Sequence, residues 1–283
     1  MILDIEHVLE YTYSDFVGLN PHYLYLSPKP NPYQKVISQS IEVIPEPNVM
    51  VKNIDQESNI QHVCFFNSTT NRLNVSSKIR IETEEFSPLN FVFYPFETSK
   101  IPFKYKGKLG INADFFLKNK NLSEPIVSYA EELAEAANYI TLNFLMEVVT
   151  RINQDFSYLT REMGEANTSL YTFNSKFGTC RDFCVLMMDL CAAKGLVARF
   201  VSGYLFGSEL HEHELHAWVE VLLPGGGWRG FDPTEGRVVN QNYIALAASV
   251  ESIGLNPVRG TFRGPKNVIS ELKTKVKIVE VAP

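Results

Sequence analysis

The 283-residue chain lacks any apolar run of the ~18 residues that a membrane-spanning helix needs. It has no Lys/Arg cluster longer than a pair, and 26 basic side chains face 32 acidic ones for a net charge of −6. That mild acidity argues against nucleic acid as a partner, because phosphate binding asks for a basic excess. Cysteine is scarce: there are four, three of them within one short stretch (Cys180, Cys184, Cys191). So few thiols do not make a disulfide framework and read as free cysteines in a reducing compartment. The opening residues Met1 to His7 carry acids where a signal peptide needs positive charge, so a cytoplasmic protein is expected. No acidic residues cluster in a loop as calcium would require, and no repeat or low-complexity tract occurs. What is there is ordinary for a packed fold, 45% apolar and 20% charged residues, which excludes a disordered chain.

The first hundred residues read as β structure. Alternating segments at Ile2–Tyr13, Tyr23–Leu26, Val36–Val43, Gln61–Phe66 and Leu73–Ile81 are separated by turn formers such as Ser27-Pro-Lys-Pro-Asn-Pro32. That spacing suggests a sandwich or partly open barrel. An aromatic, proline-bearing stretch, Pro88 to Pro102, follows as a packed linker. Ser123-Glu-Pro125 resembles a helix start, and apolar residues then recur at helical spacing from Ile126 to Ile152, as two helices meeting near Asn138. A third helix is expected from Thr179 to about Lys194-Gly195. Strands follow at Val197–Phe206, Leu215–Leu223, Trp228–Asp232 and Lys275–Val281. The expected division is residues 1–100 and residues 101–283.

Chemistry concentrates in three places. In Gly178-Thr-Cys-Arg-Asp182, Thr179 with an acid three residues later approximates a capping box, which sets Cys180 at the first helical position. There the unpaired backbone N–H groups and the helix dipole favour an anion, so a thiol becomes a better nucleophile. Cys184 and Cys191 share its side of the helix and read as small core hydrophobes. Next, Leu215-His-Ala-Trp-Val-Glu-Val-Leu-Leu223 alternates, placing His216, Trp218 and Glu220 on one face. The loop Pro224-Gly-Gly-Gly227 folds Trp228–Asp232 back on it. A symmetric hairpin brings His216 within one or two residues of lying opposite Asp232, close enough for a carboxylate to hold an imidazole. A structural His–Asp pair is the bland alternative; beside a helix-capping cysteine, catalysis is the reading adopted.

Other signals weigh less. His211-Glu-His-Glu-Leu-His216 resembles a metal tract, but strand parity separates His211 and His213 from His216, so no metal site is assigned. Asp182 is explained by capping the helix. Asp189, within an apolar helix, asks for a buried partner that cannot be read from sequence.

The segments Gly178–Phe183, Ala198–Leu205, His216–Val221 and Gly227–Thr234 together resemble the transglutaminase-like superfamily, the papain-related bacterial group described as cysteine proteases. His7–Tyr13, Leu24-Tyr-Leu-Ser-Pro28 and Asp55–Asn59 resemble the β domain that precedes the core in those proteins. The resemblance implies an α+β fold: an N-terminal antiparallel, sandwich-like β domain before a papain-like core of helices packed on an antiparallel sheet. It implies acyl transfer on peptide or glutamine-type amides through a thioester, with Cys180 as nucleophile, His216 as base and Asp232 as orienting carboxylate. Relatives place an aromatic upstream of the nucleophile as an oxyanion donor. Tyr158 matches that position, and Tyr158 and Trp218 are the candidate oxyanion or substrate residues. No cofactor, metal, nucleic acid or membrane is implied, only a peptide or protein amide substrate. The chain departs from its relatives at Ser58, where they have glycine. It also departs at Ala247–Pro257, which lacks their Arg-Asp-aromatic motif. A non-catalytic peptide-binding module on the same fold is a competing reading, and a zinc-dependent hydrolase using His211 and His213 another.

Overall fold

A computed structural model describes residues 1–282 except 108–109, 111–112, 114–115, 118–119, 162–163, 209–213 and 252–254. The expected metal-tract histidines His211 and His213 fall outside the described residues. The N-terminal region contains β1 (Ile2–Leu19), β2 (His22–Leu24), β3 (Gln34–Ile44), β4 (Val49–Ile54), β5 (Ile60–Phe65) and β6 (Thr69–Thr83). Strand β1 alternates in burial along its length, with Leu3, Ile5, Leu9 and Val17 inward, as period-two patterning demands.

Helices α1 (Glu124–Ala136) and α2 (Thr141–Asp155) follow. They part where expected: Asn138 and Tyr139 both take positive φ, +52° and +56°, a left-handed pair that ends α1. After β7 (Ser157–Tyr158) comes a helix the periodicity did not announce, α3 (Ser169–Ser175), started by Thr168, whose hydroxyl accepts from the Tyr171 N–H. Seven residues are too few to display a helical repeat. Then come β8 (Phe177–Gly178) and α4 (Cys180–Ala193), which ends before Gly195 at φ +76°.

The remaining strands are β9 (Ala198–Leu205), β10 (His216–Leu223), β11 (Gly227–Asp232), β12 (Arg237–Val238), β13 (Tyr243–Ser249), β14 (Val258–Arg259), β15 (Phe262–Arg263) and β16 (Ser270–Val281). One sheet, in the order β12-β11-β10-β9-β13, is antiparallel throughout. The helices pack on it, with Phe144, Val148, Phe183, Leu186 and Met187 meeting Val219, Val221 and Phe231 in one buried cluster. This is the α+β architecture that the sequence implies.

Both ends of the chain build the other layer. Strands β15-β1-β6-β3, with β16 also on β1, form one sheet, and β14-β2-β5-β4 form a second. Leu9, Val17, Leu24, Cys64, Leu73 and Val75 fill the space between them. The last strand therefore does not stay with the 101–283 region. It begins at Ser270, five residues before the expected Lys275, and runs antiparallel to β1 from Ile2↔Val281 to Tyr13↔Ser270. Strand β1 offers hydrogen-bonding groups on both edges, and β16 satisfies the edge that β6 leaves.

The N-terminal sheet docks on the core sheet through Leu3, Ile5, Ile79, Ile81, Tyr204, Ile244, Leu246 and Val276. The turn at Asp55–Asn59 is a second point of attachment. Ser58 occupies it at φ +63°, a left-handed position that glycine adopts at less cost. Asn59, fully buried, donates to the Ala248 carbonyl at 3.0 Å and accepts the Ala248 N–H at 2.8 Å, extending the edge of β13. Lys29 Nζ donates to the same Asn59 amide oxygen at 2.6 Å.

Candidate active site

The site forms where the start of α4 meets the end of the β10–β11 hairpin. Thr179 precedes α4 and donates from both its backbone N–H, at 2.8 Å, and its hydroxyl, at 3.1 Å, to Asp182 Oδ2. Asp182 Oδ1 accepts from Arg161 Nη2 at 2.9 Å and the Asn167 N–H at 2.6 Å. Those four donors account for the carboxylate as a structural cap that also ties Arg161 and Asn167 to the helix start. Arg181 reinforces this by donating to the Gly164 and Arg161 carbonyls at 2.6 Å each.

Cys180 is thereby fixed at the first position of α4, where its backbone N–H has no intrahelical acceptor. Its residue is 7% exposed, whereas Cys64, Cys184 and Cys191 are fully buried. Burial pushes the Cys64 thiol up to about 11 and the Cys191 thiol to about 12, which keeps both inert.

Residue pairing Val219↔Phe231 sets Asp232 across from Trp218, two residues along from His216. The contact is therefore diagonal, within the margin that the hairpin geometry allowed. His216 Nε2 donates to Asp232 Oδ2 at 2.7 Å, with both side chains fully buried. Cys180 hydrogen-bonds the same imidazole, and with Nε2 committed to Asp232, Nδ1 is the ring nitrogen that remains to serve the thiol. Burial alone would lower the His216 value, but the Asp232 charge and hydrogen bond, with Cys180, outweigh it and raise the imidazole to about 10. Asp232 shows the mirror balance. Burial would raise it, yet His216 and the surrounding donors hold it below the usual carboxylate range.

Cys180, His216 and Asp232 are thus brought together as expected. Tyr158 is also placed beside them: β7 pairs in parallel with β8, setting Tyr158 level with Gly178, two residues before the cysteine. Burial and the nearby Cys180 raise its phenol well above the ordinary tyrosine value. Trp218 lies next to His216. It shares the His216 face, but its side chain turns inward and is 1% exposed, packed on Tyr243 with ring centroids 5.3 Å apart. Its ring backs His216, whose own ring lies 6.2 Å away. Asp189 finds the partner that the sequence could not name, accepting from Lys120 Nζ at 2.8 Å and Ser169 Oγ at 2.6 Å.

Sequence reasoning missed the groups that hold Asp232. Its Oδ1 accepts the Thr234 and Glu235 N–H groups, at 2.9 and 3.2 Å, and Oδ2 accepts the Tyr243 hydroxyl at 2.8 Å. The first two follow from a turn after Pro233; the Asp-Pro-Thr run was their signal. Among the described residues no group of three or more His, Cys, Asp or Glu side chains is arranged to hold a metal, and no helix is long and apolar enough to cross a membrane.

Residues 3–82 match the family described as the bacterial transglutaminase-like N-terminal region, and residues 122–233 match the transglutaminase-like superfamily core. The chain carries a transglutaminase-like superfamily core. The core match contains Cys180, His216 and Asp232 and stops one residue past the last of them. A candidate cysteine protease from Cytophaga hutchinsonii shares the fold, with a TM-score of 0.71 at 16% identity over 100% of this chain and 92% of that one. An uncharacterized protein of Mycobacterium tuberculosis (strain ATCC 25618 / H37Rv) is 24% identical over 275 residues, covering 90% of this chain and 86% of its own length. A protein-glutamine gamma-glutamyltransferase of Pseudomonas aeruginosa is 36% identical over 73 residues, which are 23% of this chain and 11% of that protein. This transglutaminase-like chain thus carries both regions of the family in one molecule.

Proposed function

We propose that this protein is a cysteine-dependent acyl-transfer enzyme acting on peptide or glutamine-type amide bonds. The observation that carries the reading is the joining of a cysteine at a helix start to a buried His216–Asp232 pair bonded at 2.7 Å. In this mechanism His216 takes the proton of Cys180, and the sulfur attacks the amide carbonyl carbon. Negative charge passes to the carbonyl oxygen, where the Cys180 N–H, and the Tyr158 hydroxyl beside it, donate hydrogen bonds. Collapse breaks the C–N bond while His216 returns the proton to the leaving amine, leaving a thioester on Cys180. Asp232 fixes the tautomer and carries the imidazolium charge through both transfers. Water then attacks the thioester carbon to give hydrolysis, or a primary amine attacks it to give transamidation; His216 takes the proton of either one, the C–S bond breaks, and Cys180 leaves as the thiolate.

The four thiols, buried and unpaired, fit a reducing compartment, and the cytoplasm is the proposed location. The decisive experiment offers a peptide library together with a labelled primary amine and follows mass. Cut peptides mark a protease or amidase, labelled adducts a transglutaminase, and Cys180→Ala abolishes either. In parallel, Cys180 is expected to react with iodoacetamide faster than glutathione does near pH 6. No cut, no adduct and no enhanced alkylation would sink the reading and leave a peptide-binding module.

A further inference from the structure

We infer that Tyr243 is a positioning residue of this site. Held by Arg237, its phenol donates to the Asp232 oxygen that serves His216, and so sets how strongly Asp232 holds the imidazolium. The inference rests on the reading of Cys180, His216 and Asp232 as nucleophile, base and orienting acid.

The argument is one of hydrogen-bond accounting. A carboxylate only accepts, with about two lone pairs on each oxygen. The Thr234 and Glu235 N–H groups occupy Oδ1. His216 Nε2 at 2.7 Å and Tyr243 Oη at 2.8 Å occupy Oδ2. All the acceptor capacity of Asp232 is spoken for, and its rotation about Cβ–Cγ is pinned from four directions.

The direction of the Tyr243 proton is settled by its other neighbour. Arg237 Nε lies 3.1 Å from Tyr243 Oη, and a guanidinium N–H can only donate. The phenol oxygen accepts there, so its single proton is left for Asp232. Arg237 is in turn tied to Glu235 Oε2 at 3.3 Å. A relay results, running from Arg237 to Tyr243 to Asp232, which His216 meets from the other side.

Packing alone does not ask for this hydroxyl. The Tyr243 ring is buried edge-on against Trp218, 5.3 Å between centroids, and tilted against His216 at 6.2 Å. Phenylalanine would fill that space equally well, so the oxygen answers to Asp232. Two donors on one oxygen divide its negative charge between them. Without the phenol, Asp232 binds the imidazolium more tightly, and His216 keeps its proton to higher pH. The charged and titratable groups that bear on the His216–Asp232 pair are Glu235 from the turn, Arg237 from β12, Tyr243 from β13, and Cys180 and Cys184 from α4.

The test titrates His216 by NMR in histidine-labelled protein, for the wild type, Tyr243→Phe and Arg237→Gln, with Cys180 alkylation by iodoacetamide followed across the same pH range. Tyr243→Phe is expected to raise the His216 midpoint by about half a unit or more. Arg237→Gln, which frees the phenol to turn away, moves it in the same sense by less. A merely structural Tyr243 would lower the melting temperature and leave both profiles where they were. If wild-type Cys180 is activated and both variants overlay the wild type, the inference is wrong. Should Tyr243→Phe not fold, an unchanged His216 midpoint in Arg237→Gln, whose side chain is partly exposed, overturns it equally. If wild-type Cys180 shows no activation, the catalytic reading itself fails, whatever the variants do.

Discussion

His7 and His216 are each 1% exposed, and each sits on a strand bonded on both sides. Their chemistry diverges completely. His7 lies where the N-terminal sheet meets the core, with Nδ1 3.0 Å from the Tyr204 hydroxyl and Nε2 3.2 Å from the Thr274 hydroxyl. Both partners are neutral, and burial drives its value down to about 4. His216 has a carboxylate and a thiol, and rises to about 10. Equal burial is therefore no guide to protonation; what matters is whether the partner carries charge. The two sites share one strand: Gly203 of β9 pairs with His216, and the next residue, Tyr204, touches His7.

Replacing Asp232 by Asn should erase that difference. Burial, the largest single influence on His216, is then opposed by Cys180 alone, so its value falls well below 10 toward that of His7, and amide turnover drops by about 10³-fold or more. A His216 that still titrates in the alkaline range in this variant would refute the assignment of cause.

Gly203→Ala strikes the shared strand itself. A Cβ there would lie 2.2 Å from the Ile244 carbonyl and 2.6 Å from Trp218 Cη2. With backbone on one side and a buried ring on the other, a loss of about 3 kcal/mol is expected in denaturant unfolding. His216 and Trp218 should be displaced with it.

The smallest effect separates the two histidines by pH. The folded value of His7 is depressed, so its stabilising contribution is complete above 6.5, the unfolded value, and is lost on acidification toward 4. Unfolding at pH 7 and pH 5 should differ by about 2 kcal/mol from this group, and His7→Gln should flatten the difference. His216 works in the opposite sense. Its raised value stabilises the fold below 6.5, and that contribution fades as pH climbs toward 10. A His7→Gln variant with the full acid loss would place the sensitivity elsewhere.

Much of this site could be read in advance because its parts are local. The cap at Thr179–Asp182, the alternation through His216 and the glycine loop before Trp228 each carry a short-range signal, and they converge on three residues. Trp218 was legible as to face but not depth. Parity puts it beside His216 and is silent on the layer that Tyr243 and β13 add above. Strand β13 itself was hidden, since Tyr243-Ile-Ala-Leu-Ala-Ala-Ser249 is rich in alanine, a helix former, and becomes a strand only by pairing with β9. Tyr243 was lost with it. The attachment made by Asp55–Asn59 was hidden, because a buried asparagine bonded to Ala248 is a contact across 189 residues. The short α3 and the Lys120–Asp189 pair were invisible for the same two reasons, brevity and distance along the chain.

The pairing of Ile2 with Val281 has a consequence for how the molecule is made. On the ribosome the first strand emerges long before its last partner, and a loop of more than 250 residues must close to join them. The entropy of that closure grows only slowly with length, but its timing is fixed by translation. The β1 edge that β16 covers stays open while the helices and the core sheet are being synthesised. The core can assemble around α4 from contacts nearer in sequence, whereas the N-terminal sheet waits for residues 270–281. The region that reads as the first domain is the last to be finished.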